Sequence, residues 1–149
     1  MADITEFKRL IAGENGLVVV STLRGDETIA SSVVNAGVLP HPATGEPVVG
    51  MVLMGASRKL AHLRARPRAT VAVRVGWQWA TAEGPVGLIG PADPAAGYDA
   101  ERIRLLLREI YHAAGGIHDD LAEYDRVMAA EGRTAVLVHP ERVYSNPSR

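Results

Sequence analysis

Runs of apolar, mostly β-branched residues recur along the chain between turn-forming residues, a pattern typical of β-strands. Six such runs predict strands at 17–23, 28–39, 48–54, 69–75, 77–90 and 134–146. The run VVGMVLM at 48–54 is apolar throughout, which predicts burial on both faces. A bend is expected near Gly84-Pro85, and Pro140 predicts an edge or a bulge in the last strand. Short turns favour an antiparallel meander, which removes its edges most simply by closing into a small barrel.

Four further segments have the periodicity of helices. They are 3–12, 58–66, 98–114 and 119–130. Asp3 and Asp119 are the expected N-caps of the first and last helices, and Pro67 ends the second. The chain is therefore predicted to be mainly β with flanking helices, an α+β protein. Its 149 residues predict one domain spanning 1–149.

Composition and charge exclude several classes of function. The absence of cysteine removes disulfides, thiolate catalysis and cysteine-ligated metals. The net charge of −1 gives no general attraction to nucleic acid or to anionic membranes. The first residues, MADITEFKRL, lack the apolar core of a signal peptide, and no later run is long enough to span a bilayer. We expect a cytoplasmic protein without a membrane or nucleic-acid partner.

Positive charge is concentrated in the middle of the chain. Between Pro47 and Ala82 there is no acidic residue, while Arg58 and Lys59 open the basic helix that also carries Arg64 and Arg66. The first turn of a helix presents unpaired N–H groups and a partial positive charge, so it binds phosphate readily. In GASRK at 55–59 the glycine and alanine leave the backbone accessible, the serine caps the helix, and two cations follow. The alternative is a solvated basic helix with an ordinary cap.

The sequence carries no acid–base or nucleophilic constellation and no Walker or Rossmann motif. His118, Asp119 and Asp120 are consecutive and cannot converge on one metal ion, so no metal site is predicted. No catalytic side chain is predicted either. This pattern suits a protein whose cofactor supplies the chemistry, and equally a protein that only binds such a cofactor.

The chain resembles the split-β-barrel superfamily of pyridoxamine 5′-phosphate oxidase-like proteins. The resemblance covers nearly the whole chain and rests on GASRKLAHLRARPRATV, GWQWATAEG and the closing PERVY. It is closer to the branch that uses the deazaflavin coenzyme F420 than to the FMN oxidases. It implies a six-stranded antiparallel split β-barrel with flanking helices, assembled as a homodimer with two cofactor sites at the subunit interface. It also implies that Ser57, Arg58 and Lys59 hold the cofactor phosphate.

In such proteins the ring system lies against the strands that precede the basic helix. That implies contacts from Val34 and Asn35 on one strand and from Val52 and Met54 on the next. Val34 and Asn35 are expected on opposite faces of their strand, because side chains alternate. The alternative for Asn35 is a purely structural hydrogen bond in a turn or in the core.

Trp77 and Trp79 are the two tryptophans of the chain. They lie two apart on the predicted strand 77–90 and so share a face, and their large apolar surfaces are expected to be covered. Packing in the core or in a dimer accounts for this as well as a cofactor does. The family resemblance favours contact of Trp77 with the ring, with the opposite subunit as one source of that side chain.

These observations predict an F420-dependent oxidoreductase that transfers hydride from the reduced deazaflavin to a small electron-poor substrate. Arg64, Arg66 and Arg68 are candidates to meet the carboxylates of the deazaflavin tail. One alternative is an FMN-dependent oxidase or reductase of the same fold. Another is a non-catalytic carrier or sensor of a cofactor or tetrapyrrole. The residues do not indicate the physiological substrate.

Overall fold

Eight strands and four helices make up residues 3–147, the part of the chain that the computed structural model describes. The strands are β1 Leu17–Leu23, β2 Ile29–Asn35, β3 Gly37–Pro40, β4 Pro47–Leu53, β5 Arg68–Val75, β6 Gln78–Ile89, β7 Thr134–Val138 and β8 Arg142–Ser145. The helices are α1 Ile4–Gly13, α2 Arg58–Ala65, α3 Ala100–Ala113 and α4 Leu121–Ala130. The predicted α+β class is confirmed. None of these helices combines the length and apolar character needed to span a bilayer.

The prediction of six strands was wrong because two of the predicted strands each break into two. The run 28–39 breaks at Ala36, whose amide donates to the Gly16 carbonyl (2.8 Å). The run 134–146 breaks at 139–141, around Pro140, where the prediction placed an edge or a bulge. Each break lets the chain leave one sheet and enter the other.

Strand β6 belongs to two antiparallel sheets, which explains the split of the barrel. The first sheet contains β2, β1, β5, β8 and the first part of β6, and the second contains the rest of β6 with β7, β4 and β3. The twelve residues of β6 pair with β5 and β8 over the first part and with β7 over the second. The order of hydrogen-bonded strands is β2-β1-β5-β6-β7-β4-β3, with β8 beside the first part of β6. Strands β7 and β8 thus lie on the same side of β6, and the switch between them falls at the predicted bend, Gly84-Pro85.

The backbone crosses itself closely at Gly84. The amide of His139 donates to the Pro85 carbonyl (2.9 Å), and the amide of Glu141 donates to the Glu83 carbonyl (3.0 Å). A Cβ atom on Gly84 would lie 1.9 Å from the His139 carbonyl oxygen. Only glycine fits here, because any side chain would overlap a backbone atom that cannot rotate away.

Two apolar clusters fill the interior. One lies inside the barrel, where Phe7 of α1 and Leu60 of α2 pack against the strands. The other lies between α3 and the outer side of the second sheet, and includes Leu107 and Ile110. Strand β4 contributes Met51 to the first cluster and Val48 to the second. The predicted burial of β4 on both faces is confirmed, since the barrel covers one face and α3 the other.

The helices begin at side-chain caps. Asp3 accepts the amides of Thr5 (3.0 Å) and Glu6 (3.2 Å), as predicted for α1. The cap of α4 is Asp120, which accepts the Glu123 amide (3.1 Å), and not the expected Asp119. The difference is a shift of one residue in where the helix begins.

We expect Gly84→Ala to destabilise the fold by about 1–3 kcal/mol or more, because its Cβ would overlap the His139 carbonyl. Gly87→Ala on the same strand is the matched control. The nearest atom to a Cβ there is the His139 ring at 3.9 Å, an ordinary contact. Thermal and urea unfolding of both variants measures the difference, and equal stability of the two would refute the steric requirement at Gly84.

Candidate functional site

A cavity of about 610 Å³ opens where β2 and β4 end, next to the start of α2 and beneath α3 and α4. Six of the nine residues predicted from the sequence line it. They are Val34, Asn35, Val52, Met54, Ser57 and Lys59. These residues come from three separate segments, and the fold brings them together at one end of the barrel. Arg58, Trp77 and Trp79 do not line this cavity.

Local interactions fix the beginning of α2 at the cavity wall. Ser57 has an extended backbone, and its Oγ accepts the Lys59 amide (3.2 Å) as an N-cap. Leu60 and Leu63 are buried in the barrel core and anchor the helix. The Ser57 hydroxyl proton is not needed for the cap and can be donated to a ligand.

Gly55 is required by packing as well as by access to the backbone. Its amide donates to the Glu131 carbonyl (3.1 Å), and a Cβ would lie 2.8 Å from the Gly132 carbonyl oxygen. The loop before α2 therefore lies against the turn that follows α4. This contact joins the two sides of the cavity.

The charges around α2 divide into paired and unpaired groups. Arg64 forms a bidentate pair with Asp93 (2.9 and 2.7 Å), and Arg68 pairs with Glu141 (3.0 Å). Arg66 donates to the Leu23 carbonyl (3.0 Å). Within residues 3–147 neither Lys59 nor its neighbour Arg58 forms an ion pair. Lys59 is partly buried at the cavity wall, while Arg58 is exposed beside it.

Asn35 lines the cavity and also has the structural role considered from the sequence. Its Nδ2 donates to the Asn15 carbonyl (3.2 Å), and Asn15 has a left-handed backbone with φ of 56°. The side chain thus holds the turn between α1 and β1. Val34 is partly buried and Asn35 exposed, in keeping with their predicted opposite faces.

The far wall of the cavity was missed from the sequence. It comes from α3 and α4 and the turn after them, and it includes Tyr111, Tyr124, Met128 and Arg133. The two tyrosine rings lie 4.7 Å apart between centroids. Tyr111 lies at helical spacing from the apolar residues of α3, which indicates that its side chain packs against another element. No local signal shows which element it faces.

The tyrosines at this wall are held as hydrogen-bond donors. The Tyr111 hydroxyl donates to the Ile117 carbonyl (2.9 Å), and that of Tyr124 donates to the Leu107 carbonyl (3.2 Å). Burial raises the pKa of Tyr124 to about 12. Tyr124 therefore stays protonated at neutral pH and serves to fix the geometry of the wall.

Arg133 places a cation at the same wall. Its Nη1 donates to the Val52 carbonyl (3.4 Å), and its Nε and Nη2 lie 3.3 and 3.2 Å from Glu131 Oε1. The Val52 contact ties the guanidinium to β4, whose side chains line the opposite part of the cavity. The cavity thus has a mainly apolar body, with the cation Lys59 from α2 and, from the turn after α4, a guanidinium that is paired with Glu131.

Ion pairs hold α4 against α3. Arg104 donates to Asp125 Oδ2 (3.0 Å), and Arg108 donates to Asp125 through two nitrogens, one of them Nε at 2.8 Å from Oδ1. The Arg108 hydrogen bonds, followed by those of Arg104, lower the pKa of Asp125. This cluster fixes the helix that carries Tyr124 and Met128.

The two tryptophans lie away from the cavity on the β5–β6 hairpin. Trp77 follows Gly76 (φ of 61°) in the turn and is 88% exposed. The prediction that both share the face of a strand was wrong, because the turn takes Trp77 out of the strand. Trp79 lies on β6, 37% exposed and edge-on to Tyr144 (centroids 6.1 Å apart). Trp79 borders the outer face of the first sheet, where Val33 is 64% exposed.

Solved structures with the same fold place the chain among known architectures. A pyridoxamine 5′-phosphate oxidase-related, FMN-binding protein from Nostoc punctiforme superimposes with a TM-score of 0.66 at 14% identity, over 95% of this chain and 80% of that one. An F420 reductase gives 0.59 at 14% identity, over 86% and 88%. A heme-binding protein from Mycobacterium smegmatis gives 0.63 at 15% identity, over 98% and 55%. No family model matches the sequence. These likenesses confirm the predicted split-barrel fold.

We expect Asp125→Asn to lower the melting temperature at pH 7 by about 2–4 °C, since it removes the carboxylate that Arg104 and Arg108 of α3 share. The lowered pKa of Asp125 means that its contribution is present above the usual Asp pKa of 3.8 and is lost as the pH falls through the lowered value.

Thermal unfolding from neutral to acid pH tests this expectation, with Glu123→Gln as control, because Glu123 pairs with Arg126 on its own helix. The difference between wild type and Asp125→Asn should shrink below about pH 4. A difference that stays constant down to about pH 2 would contradict the role given to this ion pair.

Proposed function

We propose that the chain binds a flavin-type cofactor in the cavity between β2, β4, α2 and α4 and uses it for hydride transfer to a small electron-poor molecule. The observation that carries the proposal is the convergence of Val34, Val52, Met54, Ser57 and Lys59 on one cavity of about 610 Å³. This volume lies within the range of about 300–1,000 Å³ typical of small-molecule sites.

The residues at the start of α2 support binding of the cofactor's phosphate group. Ser57 can donate its hydroxyl, and Lys59 is a partly buried cation with no carboxylate partner in the described chain. A cation withdrawn from water without a counter-charge is costly, and a phosphate would relieve that cost. Arg58 would add a second cation from the exposed side.

The residues that line the rest of the cavity support binding of the cofactor's planar ring. Val34, Val52 and Met54 supply an apolar surface for one side of a planar ring, and Met128 supplies a polarizable one. When bound, a flavin or deazaflavin supplies the hydride chemistry. The chain itself would orient the ring in the cavity and exclude water from it.

The deazaflavin coenzyme F420 remains our first candidate and FMN our second. Arg64 and Arg68, expected to meet the carboxylates of the deazaflavin tail, are already paired with Asp93 and Glu141. Arg58 is therefore the cation of α2 best able to receive such a tail. The phosphate contacts suit FMN equally well, so direct binding must decide between them.

Separate titrations with F420 and with FMN, followed by the fluorescence of each cofactor, test the proposal. We expect micromolar binding of at least one, and consumption of its reduced form in the presence of a panel of electron-poor acceptors. Binding without consumption would identify the non-catalytic carrier considered from the sequence. Failure of both cofactors to bind would refute the proposed site.

We expect Lys59→Ala to weaken binding of the cofactor by about 1–3 kcal/mol, the range for hydrogen bonds to charged groups. Lys8→Ala is the matched control, because Lys8 and Lys59 are the two lysines of the chain and Lys8 is exposed on α1. Isothermal titration of both variants measures the effect. An unchanged dissociation constant for Lys59→Ala would place the phosphate elsewhere.

The outer face of the first sheet supports the expected homodimer. It exposes Ile29 (66%) and Val33 (64%) on β2, with Trp79 near Val33, and Trp77 projects from the adjoining hairpin. Contiguous apolar surface of this kind marks association sites. We propose that a second copy covers this face and that each Trp77 approaches the cofactor site of the partner subunit.

Val33→Asp should shift the protein toward monomer, because it places a charge in the proposed interface. Leu105→Asp is the control: Leu105 is 48% exposed on α3, away from the sheet. Sedimentation velocity of wild type and both variants measures the assembly. A wild-type protein that is monomeric at about 100 μM, far above the dissociation constants of stable dimers, would refute the dimer.

A further inference from the structure

A second cavity, of about 520 Å³, lies between α3, α4 and the segment 90–98 that leads into α3. Tyr124, Met128 and Arg133 line both this cavity and the first one, so the two are neighbours across a shared wall. The proposed cofactor contacts leave this space unused. Its size is that of a small-molecule site.

The charged groups around the second cavity are neutralised by one another. Arg104 donates to Glu101 and to Asp125, and Arg133 donates to Glu131. Each guanidinium at this wall therefore already has a carboxylate partner. A charged ligand would compete with these pairs, so an uncharged ligand is favoured. Lys59 in the first cavity, by contrast, has no carboxylate partner within residues 3–147.

The remaining surface is mainly apolar, and Tyr98 in its lining carries one buried polar atom without a partner in the described chain. Pro91, Ile103 and Leu107 contribute to the apolar lining. Tyr98 also lines the cavity, and within residues 3–147 its buried hydroxyl has no hydrogen-bond partner. A buried donor without an acceptor is costly, and a turn of the Tyr98 side chain toward a ligand acceptor in the cavity would remove that cost.

We propose that the cavity between α3 and α4 is a second ligand site, which takes an uncharged, largely apolar ring compound carrying one hydrogen-bond acceptor for Tyr98. The site stands on its own lining and charge pairing. It therefore holds whether or not a flavin-type cofactor occupies the first cavity. Ligands in the two sites would touch the same Met128 and Arg133 side chains.

The probe for this proposal is 6-propionyl-2-(dimethylamino)naphthalene, an uncharged two-ring fluorophore with a single ketone. Its emission shifts to shorter wavelength in apolar surroundings and to longer wavelength when the ketone accepts a hydrogen bond. We expect saturable binding to wild type with one site per chain. Lys59→Ala should leave this binding unchanged, which separates the result from the fate of the cofactor proposal.

Ala129→Phe fills the second cavity and should weaken the probe's binding about tenfold or more. Ala122→Phe is the matched control, since Ala122 is an exposed residue of the same helix outside both cavities, and it should bind as wild type. Equal affinities of Ala129→Phe and wild type, or the absence of saturable binding to wild type, would overturn the proposal.

Tyr98→Phe provides a second test that does not depend on the folding of Ala129→Phe. It should weaken the probe severalfold and shift its bound emission to shorter wavelength, because the ketone loses its donor. A purely structural effect of the substitution would alter the melting temperature without changing the emission of the bound probe. An unchanged affinity and emission would remove Tyr98 from the site and overturn the ligand class proposed.

Discussion

The close crossing of β6 by the corner between β7 and β8 determines how the last two strands join the barrel. At Gly84 the backbones approach so closely that no side chain fits, and two amide–carbonyl hydrogen bonds flank the contact. The crossing lets β7 continue into β8 along the same side of β6. It thereby sets β7 beside β4, and the turn before β7 against Gly55. The beginning of α2 and the end of α4 come together at that point, which makes the candidate site a product of the barrel's closure.

Much of this arrangement could be predicted from the sequence because it depends on local chemistry. Strands made of β-branched runs, the capped start of α2 and the cationic pair after it all depend on near neighbours in the chain. The break at Ala36 could not be predicted in this way, since it depends on the Gly16 carbonyl, twenty residues away. The far wall of the cavity was missed for the same reason. Tyr124, Met128 and Arg133 face it only because α4 packs against α3 through Asp125.

The wrong prediction for Trp77 has a different origin. Alternation along a strand puts residues two apart on one face, but Gly76 adopts a left-handed backbone and the turn also includes Trp77, so β6 begins at Gln78, one residue later than predicted. The asparagine at 146 then holds the turn, accepting the Trp79 amide (2.9 Å) and donating to the Trp77 carbonyl (2.7 Å). A contact from the far end of the chain thus defines a turn that local pattern alone left ambiguous.

The placement of both indoles on one hairpin has a consequence for optical work on this protein. Because residues 77 and 79 are its two tryptophans, its tryptophan emission originates at a single rim of the molecule, the β5–β6 hairpin. Quenching by acrylamide would chiefly sample the indole at 77, which is almost fully solvated. The emission would therefore report on whatever covers that rim, and an undisturbed signal would say little about whether α3 and α4 remain in place.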